Sequence, residues 1–572
     1  MKENPSERAI YFRHPFLTQQ IIAYIGNKRR LLPLIYRALC GCNFRNFEGV
    51  SFLDLFSGSG VVSRFAKYLR CRVYSNDWEP YSFIINSSYL GVDAEELQGM
   101  YEEFGGIDEA LRHLNTLQDP PFGQQYIARF YSPSTRHTGY QDFRTERMFY
   151  TRENGLIIDR IRNEIERLYP PSEVAASEKR KKEKYLLVAL LLYESATHTN
   201  TSGVFKAYHK GFGGHGRDAL SRILAPIVLS RPVLIDSGAG ASIYMEDAEK
   251  LVSEGVLKGR CFDVAYLDPP YNQHQYGSNY HILNTVGLWD RPPVNNTLDN
   301  RGVLKEKAGI RKDWAYTRSE YCYRDRAAVA FSNLMDALRA RFILISYSTD
   351  GVIPFNELKR ICAQKGSLEI VSEQYTKYRG GKQSIHRLNS NIEFVMIVDT
   401  KKKSTPQMIE EVDWMITRRK LALLFGKTYV LEKLKKNFIV DENRCTIRAP
   451  HSEKEIQTKF LFELVSRDVC ERMEVDETVD LIDRLEKSAC ANKEEELYEV
   501  YARIGAARTG NEYFMKKIPA VLKKCAHKKY RDVFQFWIEK VKGIESWSPD
   551  LFGVIRKQIE ELEVLAEKRF TL

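Results

Sequence analysis

The 572-residue sequence contains no Cys-x-x-Cys pair. Its ten cysteines are scattered. Cys40 and Cys42 stand too close for a zinc knuckle and have no Cys/His set downstream. Reduced thiols are therefore expected. His274 and His281 lack carboxylate partners at suitable spacing, so no metal is expected. No apolar run is long enough to cross a membrane. The longest, 185–193 (YLLVALLLY), reads as a buried helix. The opening residues MKENPSERAIYF carry no apolar signal core. There is no internal repeat and no long low-complexity segment. These absences lead to the expectation of a soluble, cytoplasmic protein without a membrane partner.

What is present is ordinary globular material, 43% hydrophobic and 28% charged, with a net charge of +11. The basic excess is compatible with a polyanionic partner but does not establish one. The length suits two to four domains. Residues 20–40 read as a helix opening after Gly26. SFLDLF (51–56) reads as a strand, 57–60 as a tight turn, 61–70 as a helix and 72–75 as a second strand ending at Asn76-Asp77. This strand–turn–helix–strand order opens a parallel doubly wound sheet. Residues 95–235 are rich in Tyr, Arg, His and Gly, with helices near 155–168 and 178–194. Strand signals resume at 242–247, 262–268, 341–348 and 391–398. After Lys401-Lys402-Lys403 the pattern turns charged and helical, which places a boundary near 400.

The turn FLDLFSGSGVVS lets backbone pass close to a ligand, because glycine has no Cβ. Alone it fits a dinucleotide site, a flavin site or a plain tight turn. Two details narrow it. The third glycine of the dinucleotide fingerprint is missing, since Val61, Val62 and Ser63 follow Gly60. Asp77 ends the next strand, placed to accept hydrogen bonds from two ribose hydroxyls. A nucleoside ligand without pyrophosphate fits, and S-adenosylmethionine is the obvious one.

The segment AYLDPPY (265–271) leaves a buried apolar strand through a carboxylate, two prolines and a ring. At the carboxyl edge of a sheet Asp268 can face a ligand. Pro269 and Pro270 stiffen the loop and remove two backbone donors, so its carbonyls stay free as acceptors. The Asp268 side chain and the Pro269 carbonyl make a paired acceptor for an NH2 group, and Tyr271 offers a face for a heteroaromatic ring. An aryl amine is a poor nucleophile because its lone pair is delocalised. Hydrogen bonds from both N–H groups favour a pyramidal nitrogen, and positioning with electrostatics supplies most of the catalysis.

Four segments, in order, resemble the alpha group of DNA amino-methyltransferases, which includes bacterial DNA adenine methylases. They are Tyr24-Ile25-Gly26-Asn27-Lys28, Asp54-Leu55-Phe56-Ser57-Gly58-Ser59-Gly60, Asn76-Asp77 and Asp268-Pro269-Pro270-Tyr271. The resemblance covers roughly 20–90 and 240–400. It implies an α/β, Rossmann-like S-adenosylmethionine-dependent core with a largely helical insert and a helical C-terminal domain. The expected divisions are 1–95 (cofactor half), 96–235 (target-recognition insert), 236–400 (catalytic half) and 401–572 (accessory). It further implies that Tyr24, Lys28, Asp54, Phe56, Ser57, Gly58, Gly60, Asp77, Asp247 and Asp268 bind cofactor, with Glu246-Asp247 near its adenine. Asp268, Pro269, Pro270 and Tyr271 would be catalytic. The Asp form of the motif suggests adenine N6; cytosine N4 and RNA adenine stay open as targets.

A target adenine must leave the stack to reach the methyl donor. The motif's tail, NQHQYGSNYH (272–281), suits a loop closing over a flipped base, with Tyr276 against DNA. HTNTSGVFKAYHKGFGGHGR (198–217) carries Lys206, Lys210 and Arg217. QYTKYRGGKQSIHR (374–387) carries Lys377, Arg379, Lys382 and Arg387, with Gly380-Gly381 suggesting a hairpin or flap. Both can follow a phosphate backbone. Double-stranded DNA is thus the expected partner, with a cognate restriction endonuclease or defence proteins as further candidates. The competing readings are an inactive methylase-fold DNA-binding module and, more distantly, a nicotinamide oxidoreductase. The latter leaves Asp-Pro-Pro-Tyr unexplained.

Overall fold

The structure is a computed structural model; it describes residues 13–22, 25–137, 139, 141–214, 219–374, 392–465, 473–506 and 511–571. Seven strands form one sheet in the order β3-β2-β1-β4-β5-β7-β6. They are β1 (Ser51–Asp54), β2 (Arg72–Asn76), β3 (Ala241–Tyr244), β4 (Phe262–Leu267), β5 (Ala340–Ser348), β6 (Ser367–Gln374) and β7 (Ile392–Asp399). The five strands from β3 to β5 run parallel. β7 is antiparallel to β5 and sets Ser348 opposite Glu393. The central strands β1 and β4 are apolar because helices cover both faces of a parallel sheet.

Helix Val61–Tyr68 packs on β1 and β2. Helix Glu178–Thr197 packs on helix Pro80–Tyr89. The apolar run at 185–193 is the buried part of Glu178–Thr197. That helix belongs to the segment expected as an insert, so part of 96–235 builds the body of the fold. Several expected bounds shift. The helix expected to open after Gly26 is a short 3-10 turn, Arg29–Leu31, followed by helix Leu32–Gly41, whose first turn takes Pro33. β6 was not anticipated from the sequence.

A first compact unit runs to Ile409, apart from residues 374–392, and the second includes Glu410–Leu572. The second is mostly helical, but it also holds a four-stranded antiparallel sheet, β8 (Ile439–Asp441), β9 (Thr446–Arg448), β10 (Glu455–Lys459) and β11 (Glu463–Leu464). The helical C-terminal domain expected from the sequence thus also carries a small sheet. These strands have two to five residues, and β10 (EIQTK) alternates exposed polar with buried side chains. Residues 410–572 carry 31 basic and 30 acidic side chains, so nearly all of the chain's positive excess lies before them.

Candidate active site

The site forms where β1, β2, β3 and β4 end at their carboxyl edge. Asn76 ties these ends together. Its amide donates to the carbonyls of Leu55 (3.2 Å) and Glu246 (3.1 Å) and accepts from the Glu246 N–H (3.1 Å). Gly60 is the N-cap of helix Val61–Tyr68 and has φ +73°. A Cβ there would run into Asn86 Oδ1, so only glycine fits. The Gly58 N–H donates to Asp77 Oδ2 (2.7 Å), and the Glu79 N–H donates to Asp77 Oδ1 (2.9 Å). Asp77 therefore anchors the glycine turn as well as facing the cavity.

A cavity of about 740 Å³, partly open to solvent, lies beside these strand ends. Its walls include Phe56, Asp77, Asp247, Asp268, Pro269, Pro270, Tyr271 and Tyr276, which were expected at the site. They also include Ile25, Trp78, Glu79, Thr317, Ser319 and Tyr321, which were not. The last three come from a segment held by Gln275. Its side chain donates to the Ser319 carbonyl (3.1 Å) and accepts from the Ser319 N–H (2.8 Å). Tyr316, in the same segment, is 86% exposed.

Five carboxylates line the cavity: Asp77, Glu79, Glu246, Asp247 and Asp268, and none of the lining residues is Lys, Arg or His. Burial pushes Asp77 up to about 6 and Glu79 up to about 7. Asp247 Oδ1 caps helix Ala248–Ser253, accepting from the N–H groups of Glu249 (3.1 Å) and Lys250 (3.0 Å). Below the cavity, Asp54 is buried. Its Oδ2 accepts from Ser63 (2.7 Å), its Oδ1 has no hydrogen-bond partner, and burial raises it to about 7.

Asp268 follows β4 and keeps 16% of its side chain accessible. Burial lifts its carboxyl to about 6, against the pull of Lys28. Tyr271 meets Tyr347 edge-on with ring centroids 5.9 Å apart. Lys28 does not line the cavity. Its Nζ lies 3.1 Å from Asp268 Oδ1, 4.0 Å from Glu393 Oε2 and 4.7 Å from the centre of the Tyr271 ring.

Ser57, Gly58 and Gly60 lie outside the cavity lining. Ser57 is buried; its hydroxyl donates to the Asn76 carbonyl (3.0 Å) and accepts from Asn86 (3.1 Å). Lys206 and Lys210 are exposed. Tyr276, expected against DNA, is a half-buried cavity wall stacked on Tyr280. Tyr24, Arg217, Lys377, Arg379 and Lys382 lie outside the described residues. His281 is buried with Nε2 3.0 Å from the Phe205 carbonyl. Among the described residues no three His, Cys, Asp or Glu side chains gather as a metal site, and no helix is long and apolar enough to cross a membrane.

Residues 24–301 match the sequence profile of the D12 class N6 adenine-specific DNA methyltransferase. Over those residues, just under half of its length, the chain is similar to this family. It is 28% identical to the type II methyltransferase M.NlaIII of Neisseria lactamica over 379 residues, 66% of this chain and 98% of that protein. It is 28% identical to the type II methyltransferase M.CviAII of Paramecium bursaria Chlorella virus 1 over 361 residues, 63% of this chain and 93% of that protein. It is 27% identical to the modification methylase LlaI of Lactococcus lactis subsp. lactis over 387 residues, 67% of this chain but 55% of that protein. This part of the chain is thus similar to adenine-specific DNA methyltransferases, and it is built on a mixed α/β sheet.

Among the side chains that sequence reasoning missed, Glu393 carried a visible signal, since a carboxylate interrupts the apolar strand IEFVMIVD. Trp78 and Glu79 carried only their place after Asp77.

Proposed function

We propose that the protein methylates N6 of an adenine turned out of double-stranded DNA, at one recognition sequence, with S-adenosylmethionine as donor. The observation that carries this reading is Asp268 at the end of β4 with a carboxylate-walled cavity beside it. Five carboxylates and no basic side chain suit a cationic ligand and would repel a pyrophosphate. S-adenosylmethionine supplies a methyl carbon on a positively charged sulfur, an electrophile that a neutral amine can attack. Asp77, Asp247, Trp78 and Phe56 would hold it.

The protein's own contribution is to prepare the amine. The Asp268 carboxylate and the Pro269 carbonyl accept its two N–H groups and localise the lone pair on nitrogen. Tyr271 supports the base by its face. Unstacking an adenine costs a few kcal/mol, which such pocket contacts offset. N6 sheds a proton as it gains the methyl, and the ionised Asp268 can receive it.

The basic excess before residue 410 supports DNA contact by the first unit, with Lys206 and Lys210 following phosphates and 96–235 contributing target recognition. Residues 401–572 serve as an accessory domain. A cognate endonuclease or related defence partner completes the system.

The test is Asp268→Ala. Methyl transfer from tritiated donor to DNA should vanish while cofactor binding falls far less. Near-normal turnover by that variant would remove the amine clamp from the account.

A further inference from the structure

We propose that residues 523–531, with the end of the last helix, form a second foothold on DNA: a cationic patch that grips the phosphate backbone of duplex outside the recognition sequence. The inference gives the accessory domain a task, and it rests on the reading of double-stranded DNA as the substrate.

The sequence concentrates charge here. Residues 513–531 hold seven Lys and Arg and no Asp or Glu, whereas the rest of 410–572 carries 24 basic and 30 acidic side chains. The fold then adds to this excess. Helix Asn511–Cys525 buries Phe514, Ile518, Val521 and Leu522 in the core of the second unit, which leaves Lys523 and Lys524 exposed on its last turn. Lys529 follows in the 3-10 turn Lys528–Tyr530, and Arg531 opens helix Arg531–Gly543; both are exposed. Helix Arg556–Thr571 brings Lys568 and Arg569 to the same place in its last turn. The Arg569 guanidinium donates to the Ala526 carbonyl (3.0 Å), and the Arg531 guanidinium lies 5.7 Å from the centre of the Phe570 ring. Among the described residues Lys523, Lys524, Lys529, Arg531 and Arg569 have no carboxylate within ion-pair distance. Lys516 and Lys517, on the same helix, do pair, with Glu512 and Glu463. The acidic neighbours along the chain are Asp532 and Glu567.

The negative end of a helix favours cations, which accounts for Lys523, Lys524, Lys568 and Arg569 one helix at a time. It does not account for two such ends meeting, nor for Arg531 at the positive end of its helix. Like charges gathered in this way repel and cost stability. A polyanion offsets that cost, and each neutralised phosphate releases counterions. Because both units belong to one chain, a grip on flanking duplex raises overall affinity without a new base contact.

The experiment compares wild type, K523Q/K524Q/K529Q and a control, K435Q/K487Q/K516Q. The control removes the same charge from lysines paired with Glu442, Asp483 and Glu512. Fluorescence anisotropy reads binding to duplex with and without the sequence methylated in expressing cells, and to a structured RNA, with salt raised from about 50 to about 200 mM. Calorimetry reads S-adenosylhomocysteine binding, and single-turnover methylation reads the rate at saturating DNA. We expect the patch variant to bind both duplexes about tenfold or more weakly at low salt, with the slope of log affinity against log salt smaller by about two to three, roughly one per lysine. Donor binding and the saturated rate should match wild type, and the control should lose far less affinity. Wild-type affinity and slope in the patch variant overturn the inference. So do an equal loss in the control, which would make net charge the whole effect, and a loss confined to RNA. Should the patch variant lose donor binding as well, K523R/K524R/K529R decides: with the charge kept it must bind DNA as wild type does, and weakened binding there overturns the inference. A wild-type protein that transfers no methyl to DNA would instead fail the underlying reading of the substrate. Anisotropy still reads the patch in that case, so the two failures are told apart.

Discussion

Lowering the pH from 8 to 5 should remove most of the enzyme's turnover without unfolding it. The amine's acceptor must be ionised, and burial sets the Asp268 carboxyl at about 6. Below that value each unit of pH protonates about nine tenths of what remains, a tenfold loss per unit. Folding responds differently. Burial raises Asp54, Glu79 and Asp159 to about 7 and Asp77 and Asp268 to about 6. A carboxyl raised in the folded state binds its proton more tightly there than in the unfolded chain. Its contribution to stability is complete below the unfolded pKa and is lost as pH rises through 6 to 7. His281 works in the opposite sense. Burial drops it to about 3, so the unfolded chain takes up its proton first, below about 6.5. Five raised carboxyls against one depressed imidazole leave the native state no less stable at pH 5.5 than at 7.5. The assay is single-turnover methylation across pH with thermal unfolding measured in the same buffers. A flat rate from pH 8 to 5, or a rate that falls together with the melting temperature, would refute the reasoning.

Asp77→Ala should weaken S-adenosylhomocysteine binding by about a hundredfold in calorimetry, the value of one to two hydrogen bonds to a charged acceptor, with the rate at saturating donor less affected. Gly60→Ala should lower stability by about 1–3 kcal/mol in chemical denaturation, from left-handed strain and the collision with Asn86 together. Tyr316→Ala should raise the DNA dissociation constant by about tenfold in fluorescence anisotropy, if its 86% exposed ring stacks on a base at the mouth of the cavity, and should leave donor binding unchanged.

The carboxyl edge of the sheet was legible because its signals are local. Asp268, the two prolines and Tyr271 are adjacent, and the apolar strand before them fixes where they emerge. Asp77 was legible for the same reason, at the end of β2. The partners that tune these groups were not. Lys28, Asp268 and Glu393 lie far apart in sequence and meet only through the strand order and the antiparallel register that sets Glu393 opposite Ser348. The ion pair between Lys28 and Asp268 is a contact that the order of the segments does not announce. Thr317, Ser319 and Tyr321 reach the cavity through two hydrogen bonds of Gln275, which no spacing rule announces. The small C-terminal sheet was hidden because strands as short as Glu463–Leu464 give no periodic signal above their charged surroundings.

The central claim is tested most directly by the nucleosides of the DNA itself. DNA from cells expressing the wild-type protein or the Asp268→Ala variant should be digested and resolved by mass spectrometry, with long-read sequencing of the same samples. The account predicts N6-methyladenine at one recurring sequence with the wild type and none with the variant. N4-methylcytosine, methylation confined to RNA, or unmodified DNA in the presence of folded wild-type protein would contradict it.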